Sequence, residues 1–180
     1  MKLYIVANRL PVKAVPRQDS YTFVRSEGGL ATGLDSLQIS MEKHWIGWPG
    51  VCVDNVRQHL ETMDFHPIFL SEEQYHDYYE GYSNSTIWPL CHYFFSHTTV
   101  RKEYWESYQR VNALFCEEIC KQVGSGDWVW IQDYQLMLLP GMLRKRMPNL
   151  HIGYFHHIPF PSYELFRILP ERAELLNGLM

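Results

Sequence analysis

Apolar and polar positions along the chain follow two periods. Short apolar runs without alternation at Lys2 to Ala7, His44 to Gly50, Phe65 to Leu70, Trp128 to Gln132 and His151 to Phe155 predict strands covered on both faces, as in a parallel sheet. Elsewhere the apolar residues step by three or four. Leu30, Leu34, Leu37 and Met41 predict a helix from Leu30 to Met41, and a second is expected over Val56 to Met63. Tyr104, Tyr108, Val111, Phe115 and Ile119 predict the longest helix, Arg101 to Val123, stopped by Gly124-Ser125-Gly126. Ser71-Glu72-Glu73-Gln74 has the form of a capping box and starts a helix through about Tyr79. Glu171 to Met180 is a final amphipathic helix, residues 11 to 27 are a polar excursion or hairpin around Tyr21 to Val24, and Tyr82 to Tyr93 is loop-like and aromatic. Five strands alternating with helices predict a doubly wound, mostly parallel α/β sheet of Rossmann-like type.

The stretch from Trp128 to Pro161 holds a complete strand, helix and strand unit, with a crossover helix expected over Leu136 to Arg146. Ligands of open α/β sheets sit outside the carboxyl ends of the strands. Asp133 directly follows one such strand, His156 and His157 follow the next, and Arg9 stands just past the first. A guanidinium at that edge can grip a phosphate through two parallel hydrogen bonds. Ile158-Pro159-Phe160-Pro161 fixes an extended loop after the histidines and leads to Ser162, an expected N-cap for Tyr163 to Ile168. At this level the same positions also suit plainer roles: Asp133 capping the crossover helix, the histidines ending a strand, and Arg9 as a solvated surface residue. Gly28 and Gly29, opening the Leu30 helix, allow close backbone approach and free N–H groups for an anion, or simply a turn.

Composition narrows the function classes. The 180 residues fit one domain, and no apolar run approaches the eighteen or so residues of a membrane span. The opening residues turn polar too soon for a signal peptide, which predicts a cytoplasmic protein. A net charge of −4 without basic blocks argues against nucleic acid or anionic membrane as the main partner. Cys52, Cys91, Cys116 and Cys120 lack C-x-x-C spacing, so no metal site is called for. Aromatic residues reach 15%, with 12 Tyr and 6 Trp. Flat rings fill cores, and they also cover the apolar faces of sugars.

Several ordered motifs then carry a resemblance that covers essentially the whole chain: A-N-R-L-P, W-I-G-W-P-G, S-N-S-T-I-W-P-L-C-H-Y, Tyr108-x-x-Val111-Asn112, W-I-Q-D-Y-Q-L-M-L-L-P and H-H-I-P-F-P. Together they resemble the amino-terminal part of the trehalose-6-phosphate synthase family, retaining glycosyltransferases with two Rossmann-like domains in the GT-B arrangement. The resemblance implies transfer of glucose from a nucleotide sugar, UDP-glucose, to glucose 6-phosphate, giving trehalose 6-phosphate without a cofactor or metal. The departing phosphate would help deprotonate the acceptor on the same face. Carried over residue by residue, it implies that Arg9 binds the acceptor phosphate, that Tyr79 and Trp88 hold the acceptor sugar phosphate, and that Trp48 borders that pocket. It further implies that Asp133 accepts hydrogen bonds from acceptor hydroxyls, that Gly29 offers its N–H near the donor diphosphate, and that His157 meets a donor-sugar hydroxyl.

Two departures from the family pattern bear on this. Glu27 puts a negative side chain before the glycine pair, where many relatives have a small residue. The chain ends at Met180, so residues 1–180 are expected to form an acceptor-side domain without the carboxy-terminal donor domain, and catalysis by them alone is not expected. Rival readings are a related transferase with another phosphorylated acceptor, such as glycerol 3-phosphate, and a non-catalytic sugar-phosphate-binding module. The sequence leaves room for a homo-oligomer.

Overall fold

A computed structural model of the chain describes residues 1–18, 21–25, 29, 33, 34, 36, 39–51 and 56–180. In order it contains β1 (Lys2–Arg9), β2 (Val12–Pro16), β3 (Tyr21–Arg25), β4 (Glu42–Trp48), α1 (Arg57–Glu61), β5 (Phe65–Pro67) and α2 (Glu72–Gln74). A π-helix (Tyr75–Ile87) runs on into α3 (Trp88–Cys91), followed by α4 (Lys102–Gln122), β6 (Trp128–Gln132), α5 (Leu139–Arg146), β7 (His151–Phe155), α6 (Tyr163–Phe166) and α7 (Arg172–Leu179).

Five strands form one sheet in the order β5-β4-β1-β6-β7, and every pairing is parallel. The chain builds outward from β1 through β4 to β5, then returns to the other side of β1 with β6. The topological switch therefore lies between β1 and β6, where such sheets hold their ligands. Successive residues of β1 serve opposite faces. Tyr4 and Val6 pack into a core with the π-helix, α4 and α5, whereas Leu3 and Ile5 pack into a second core with Leu34, Trp45, Val56 and Leu60. That double burial is why the strands show no alternation in sequence. Near its carboxyl end β1 shifts register against β4 between Val6 and Arg9, and a bulge of this kind re-aims the side chains beyond it.

The expected hairpin is present, β2 pairing antiparallel with β3. The predicted strand over Phe65 to Leu70 shrinks to Phe65–Pro67, with one further main-chain bond from Ile68 N to Gly47 O at 2.8 Å just beyond it. Residues 39–41 lie outside helix and Glu42 already belongs to β4, so the first predicted helix does not reach Met41; most of the rest of that expectation lies outside the described residues. The crossover helix begins at Leu139 rather than Leu136, because a 3₁₀ turn (Tyr134–Leu136) intervenes. Ser162 precedes α6 without a side-chain cap bond, and α6 ends at Phe166 rather than at Ile168.

The larger correction concerns Tyr82 to Tyr93, expected as a loop. The capping box forms as expected, Gln74 N donating to Ser71 Oγ at 3.1 Å and Ser71 N to Gln74 Oε1 at 3.0 Å, but the helix it starts runs on to Cys91. Polar residues that suggest a loop instead bond back along the helix: Ser83 Oγ donates to Tyr78 O at 2.8 Å and Ser85 Oγ to Glu80 O at 2.6 Å, both five residues back. Tyr78 and Tyr82 are fully buried, so most of the aromatic character is core. Gly81 lets the Tyr104 ring lie where a Cβ would stand 2.7 Å from it.

Candidate functional site at the carboxyl edge of the sheet

Arg9 ends β1 beside Trp48, which ends β4. The guanidinium lies over the Trp48 ring, 4.9 Å from its centroid, and over the Tyr79 ring at 5.5 Å. Its Nη2 donates to the Tyr75 hydroxyl at 3.3 Å, and Tyr75 stacks in turn against Trp48 and Tyr79. The Arg9 Nε is buried without a partner, and Arg9 forms no ion pair among the described residues. The π-helix thus delivers one aromatic face, Tyr79, and, one turn earlier, one hydroxyl, Tyr75, to a cation that has no carboxylate partner among the described residues.

Asp133 organises a second group. Its φ of 74° with ψ of 173° is a conformation that a residue with a side chain rarely adopts. Oδ1 accepts two main-chain N–H groups, from Tyr134 at 2.9 Å and His157 at 3.1 Å, while Asp133 N donates to Phe155 O at 2.7 Å. Asp133 therefore does cap the turn before the crossover helix, and it also ties the ends of β6 and β7 together. Both bonds fall on Oδ1, and Oδ2 takes no hydrogen bond among the described residues. The His157 Nε2 lies 2.9 Å from Oε1 of the buried Gln132, whose Nε2 donates to Trp130 O at 3.3 Å.

The helix α4 supports this turn from below. Tyr108 OH donates to Tyr134 O at 2.7 Å and accepts from Met137 N at 3.0 Å, and Asn112 Nδ2 donates to Gln135 O at 3.1 Å. The Tyr108-x-x-Val111-Asn112 motif is thus a buried brace for the loop that carries Asp133. Burial, then Asp133, then Tyr79 push the Tyr134 hydroxyl pKa up, so the two groups of residues act on one side chain. Burial, with Asp133 adding to it, pushes the Cys91 thiol up to about 12 and keeps it protonated. His156 sits deeper than His157. Its Nδ1 lies 2.9 Å from Tyr154 OH, its Nε2 is buried without a partner, and burial pushes its pKa below the usual imidazole value.

The remaining expected residues are not among those that Arg9 stacks on or bonds to. Trp88 is 38% exposed, stacks on His92 at 4.0 Å and lines a cavity of about 390 Å³ with Asn84, Ser85, Phe94 and His97. Asn84 connects that cavity to the Asp133 turn, since Tyr134 OH donates to its Oδ1 at 2.9 Å. Gly29 is exposed and helical, with nothing within 4 Å of an added Cβ; Glu27 and Gly28 lie outside the described residues. Tyr75, Asn84, Gln132 and Tyr134 were not singled out in the sequence. Gln132 carried a signal, a polar residue closing an apolar strand, and Tyr75 lies four residues before Tyr79.

At the opposite edge, Glu42, His44 and Asp64 offer ligand atoms within 4.8 Å of one another. Both His44 nitrogens are already engaged, Nε2 with Glu42 Oε1 at 2.9 Å and Nδ1 with His66 Nε2 at 3.2 Å, so the arrangement reads as a hydrogen-bonded chain rather than a metal cage.

The family model described as glycosyltransferase family 20 matches residues 1–180. The chain belongs to glycosyltransferase family 20. It is 45% identical to a trehalose-6-phosphate synthase of Mycolicibacterium vanbaalenii, over 98% of this chain and 38% of that protein. It is 42% identical to an α,α-trehalose-phosphate synthase (UDP-forming) of Aspergillus fumigatus, over 99% of this chain and 37% of that one. Among solved structures, a UDP-forming α,α-trehalose-phosphate synthase from Burkholderia xenovorans, in complex with glucose-6-phosphate, superposes with a TM-score of 0.80 at 28% identity, covering 99% of this chain and 38% of that one. The chain thus spans a little over a third of the length of the relatives it matches. Its sheet is the amino-terminal portion of their GT-B fold. Among the described residues no helix is long and apolar enough to cross a membrane.

Proposed function

We propose that this chain is the acceptor-side part of a retaining transferase that moves glucose from UDP-glucose to glucose 6-phosphate, forming trehalose 6-phosphate in the cytoplasm. The observation that carries the proposal is the Arg9 guanidinium at the switch point. It is flanked by Trp48, Tyr75 and Tyr79 and has no carboxylate partner among the described residues. An unneutralised, partly desolvated guanidinium against sugar-sized aromatic faces suits a phosphorylated hexose.

In this reading Arg9 takes the phosphate, Tyr79 and Trp48 border the hexose, and Trp88 closes the pocket from the Asn84 side. The free Asp133 Oδ2 accepts from acceptor hydroxyls. His157 and the Gly29 N–H face the donor, and the rest of the donor site comes from the part of the relatives that this chain does not match. Catalysis then rests on positioning and on electrostatics already in place when the substrates arrive. The named activities of the relatives support this assignment.

The test pairs two measurements. Glucose 6-phosphate titrated calorimetrically into the chain is expected to bind saturably and more tightly than glucose or glycerol 3-phosphate. UDP release from UDP-glucose, assayed on the protein at its full encoded length, is expected to depend on glucose 6-phosphate. Saturable binding with no such release supports a sugar-phosphate-binding module instead, and preference for glycerol 3-phosphate supports a related transferase.

A further inference from the structure

We infer that Gln132 is a positioning residue that fixes the proton of His157 on Nε2 and so makes its Nδ1 an acceptor reserved for a hydroxyl group. The inference rests on the donor-side role of His157 proposed above for what it binds, but not for the tautomer itself.

Gln132 is completely buried at the end of β6, and its amide has one orientation that satisfies both ends. Its Nε2 donates to Trp130 O at 3.3 Å, which leaves Oε1 as the atom 2.9 Å from His157 Nε2. Turning the amide over would let its NH₂ donate to an unprotonated ring nitrogen but would set two oxygens against each other at Trp130, so the contact with Trp130 O fixes the orientation. A carboxamide oxygen can only accept, so His157 Nε2 must carry the hydrogen. The hydrogen bond made by one imidazole nitrogen decides the state of the other, and Nδ1 is then a bare lone pair. The ring is held against Phe155 with centroids 4.6 Å apart, and its main chain is tied to Asp133, so that lone pair has a defined direction. His157 itself is exposed, and its Nδ1 makes no hydrogen bond among the described residues.

The chemical consequence is selectivity. A neutral acceptor takes a sugar O–H and offers nothing to a phosphate or carboxylate oxygen, which the same ring would bind if both nitrogens carried protons. Because Gln132 is neutral, it makes the Nε2–H bond without adding a charge that would favour imidazolium. A carboxylate at this position would do the opposite.

Nitrogen-15 correlation spectra of ring-labelled protein read the tautomer directly, with the His157 signal assigned by its loss in His157→Phe. The wild-type ring is expected to be the Nε2–H form. Gln132→Leu is expected to give a mixture of tautomers, and Gln132→Glu, which keeps an acceptor oxygen at this place, to keep Nε2–H. An Nδ1–H ring in the wild type, or a tautomer unchanged in Gln132→Leu, overturns the inference and leaves the proposed transferase reading intact. In the full-length protein, Gln132→Leu is expected to lower kcat for UDP release at least fivefold with glucose 6-phosphate affinity unchanged. Equal loss of both would show a collapsed pocket and overturn the positioning role. Absence of UDP release from the wild type would count against the transferase reading alone, since the spectra stand apart from it.

Discussion

The main-chain N–H of His157 donates to Asp133 Oδ1 at 3.1 Å, joining the ends of two neighbouring strands 24 residues apart in the chain. The same oxygen takes the Tyr134 N–H, and the backbone beneath it is held at a φ of 74°. Strain of this kind persists only where surrounding bonds over-determine it, and it concentrates at functional sites. The loop is therefore held by Asp133 and its supports together rather than by the intrinsic preference of the residue.

Asp133→Asn keeps an acceptor oxygen for both main-chain bonds and loses the charge. Its melting midpoint is expected to stay near that of the wild type while turnover in the full-length protein falls at least about tenfold, as a charge-assisted bond worth about 1.5–3 kcal/mol implies. Asp133→Ala loses both bonds at a positive φ and is expected to lose about 1–3 kcal/mol of stability as well. Thermal melts and UDP release measured on the two variants separate charge from scaffold.

Arg9→Lys removes the planar donor fork between Trp48 and Tyr79 and the bond to Tyr75. Glucose 6-phosphate affinity is expected to fall at least about tenfold without a change in fold, because lysine offers a point charge in place of two parallel donors. Tyr75→Phe keeps the ring stack and removes only the hydroxyl. A neutral hydrogen bond of about 0.5–1.5 kcal/mol sets the expected loss at about two- to tenfold. Calorimetric titration checks both.

Gly47 lies where an added Cβ would stand 2.7 Å from Ala7 O, 2.9 Å from Arg9 C and 2.9 Å from Leu10 N. All three are backbone atoms, so nothing flexible can yield. Gly47→Ala is expected to cost about 1–3 kcal/mol in chemical unfolding, as overpacking does, and to weaken glucose 6-phosphate binding by displacing Arg9. Gly29→Ala meets nothing within 4 Å and is expected to leave stability within about 0.5 kcal/mol. If Gly29 approaches the donor diphosphate, that variant loses UDP release while remaining folded.

Two imidazoles make stability depend on pH. Burial pushes the pKa of His156 down, and burial followed by His44 does the same at His66. Each ring binds a proton more readily in the unfolded chain, where its pKa is about 6.5. Their contribution to stability is present above that value and is lost as the pH falls below it toward the folded pKa. The melting midpoint is expected to drop between about pH 7.5 and 5.5, and His156→Gln to flatten the slope. Glu118 and Asp127, whose carboxyl pKa values are lowered, act in a separate window below about pH 4.5.

The sequence by itself determined the strands, the parallel sheet and the edge on which Arg9, Asp133 and His157 stand. Unbroken apolar runs such as Trp128 to Gln132 mean burial on both faces, and alternation of strand with helix forces parallel crossovers. It also carried the capping box at Ser71, where the signal is local and complete within four residues.

Only the tertiary structure decided that Tyr82 to Cys91 is helical, because Ser83 and Ser85 favour a loop until their hydroxyls find carbonyls five residues back and Tyr78 and Tyr82 find a core. It alone assigned Tyr75 to Arg9 and Gln132 to His157, partners separated by 66 and 25 residues. Periodicity reports which face a residue occupies, since that follows from its own backbone. Which distant side chain shares that face depends on how the strands are ordered and registered, and that is a property of the assembled sheet.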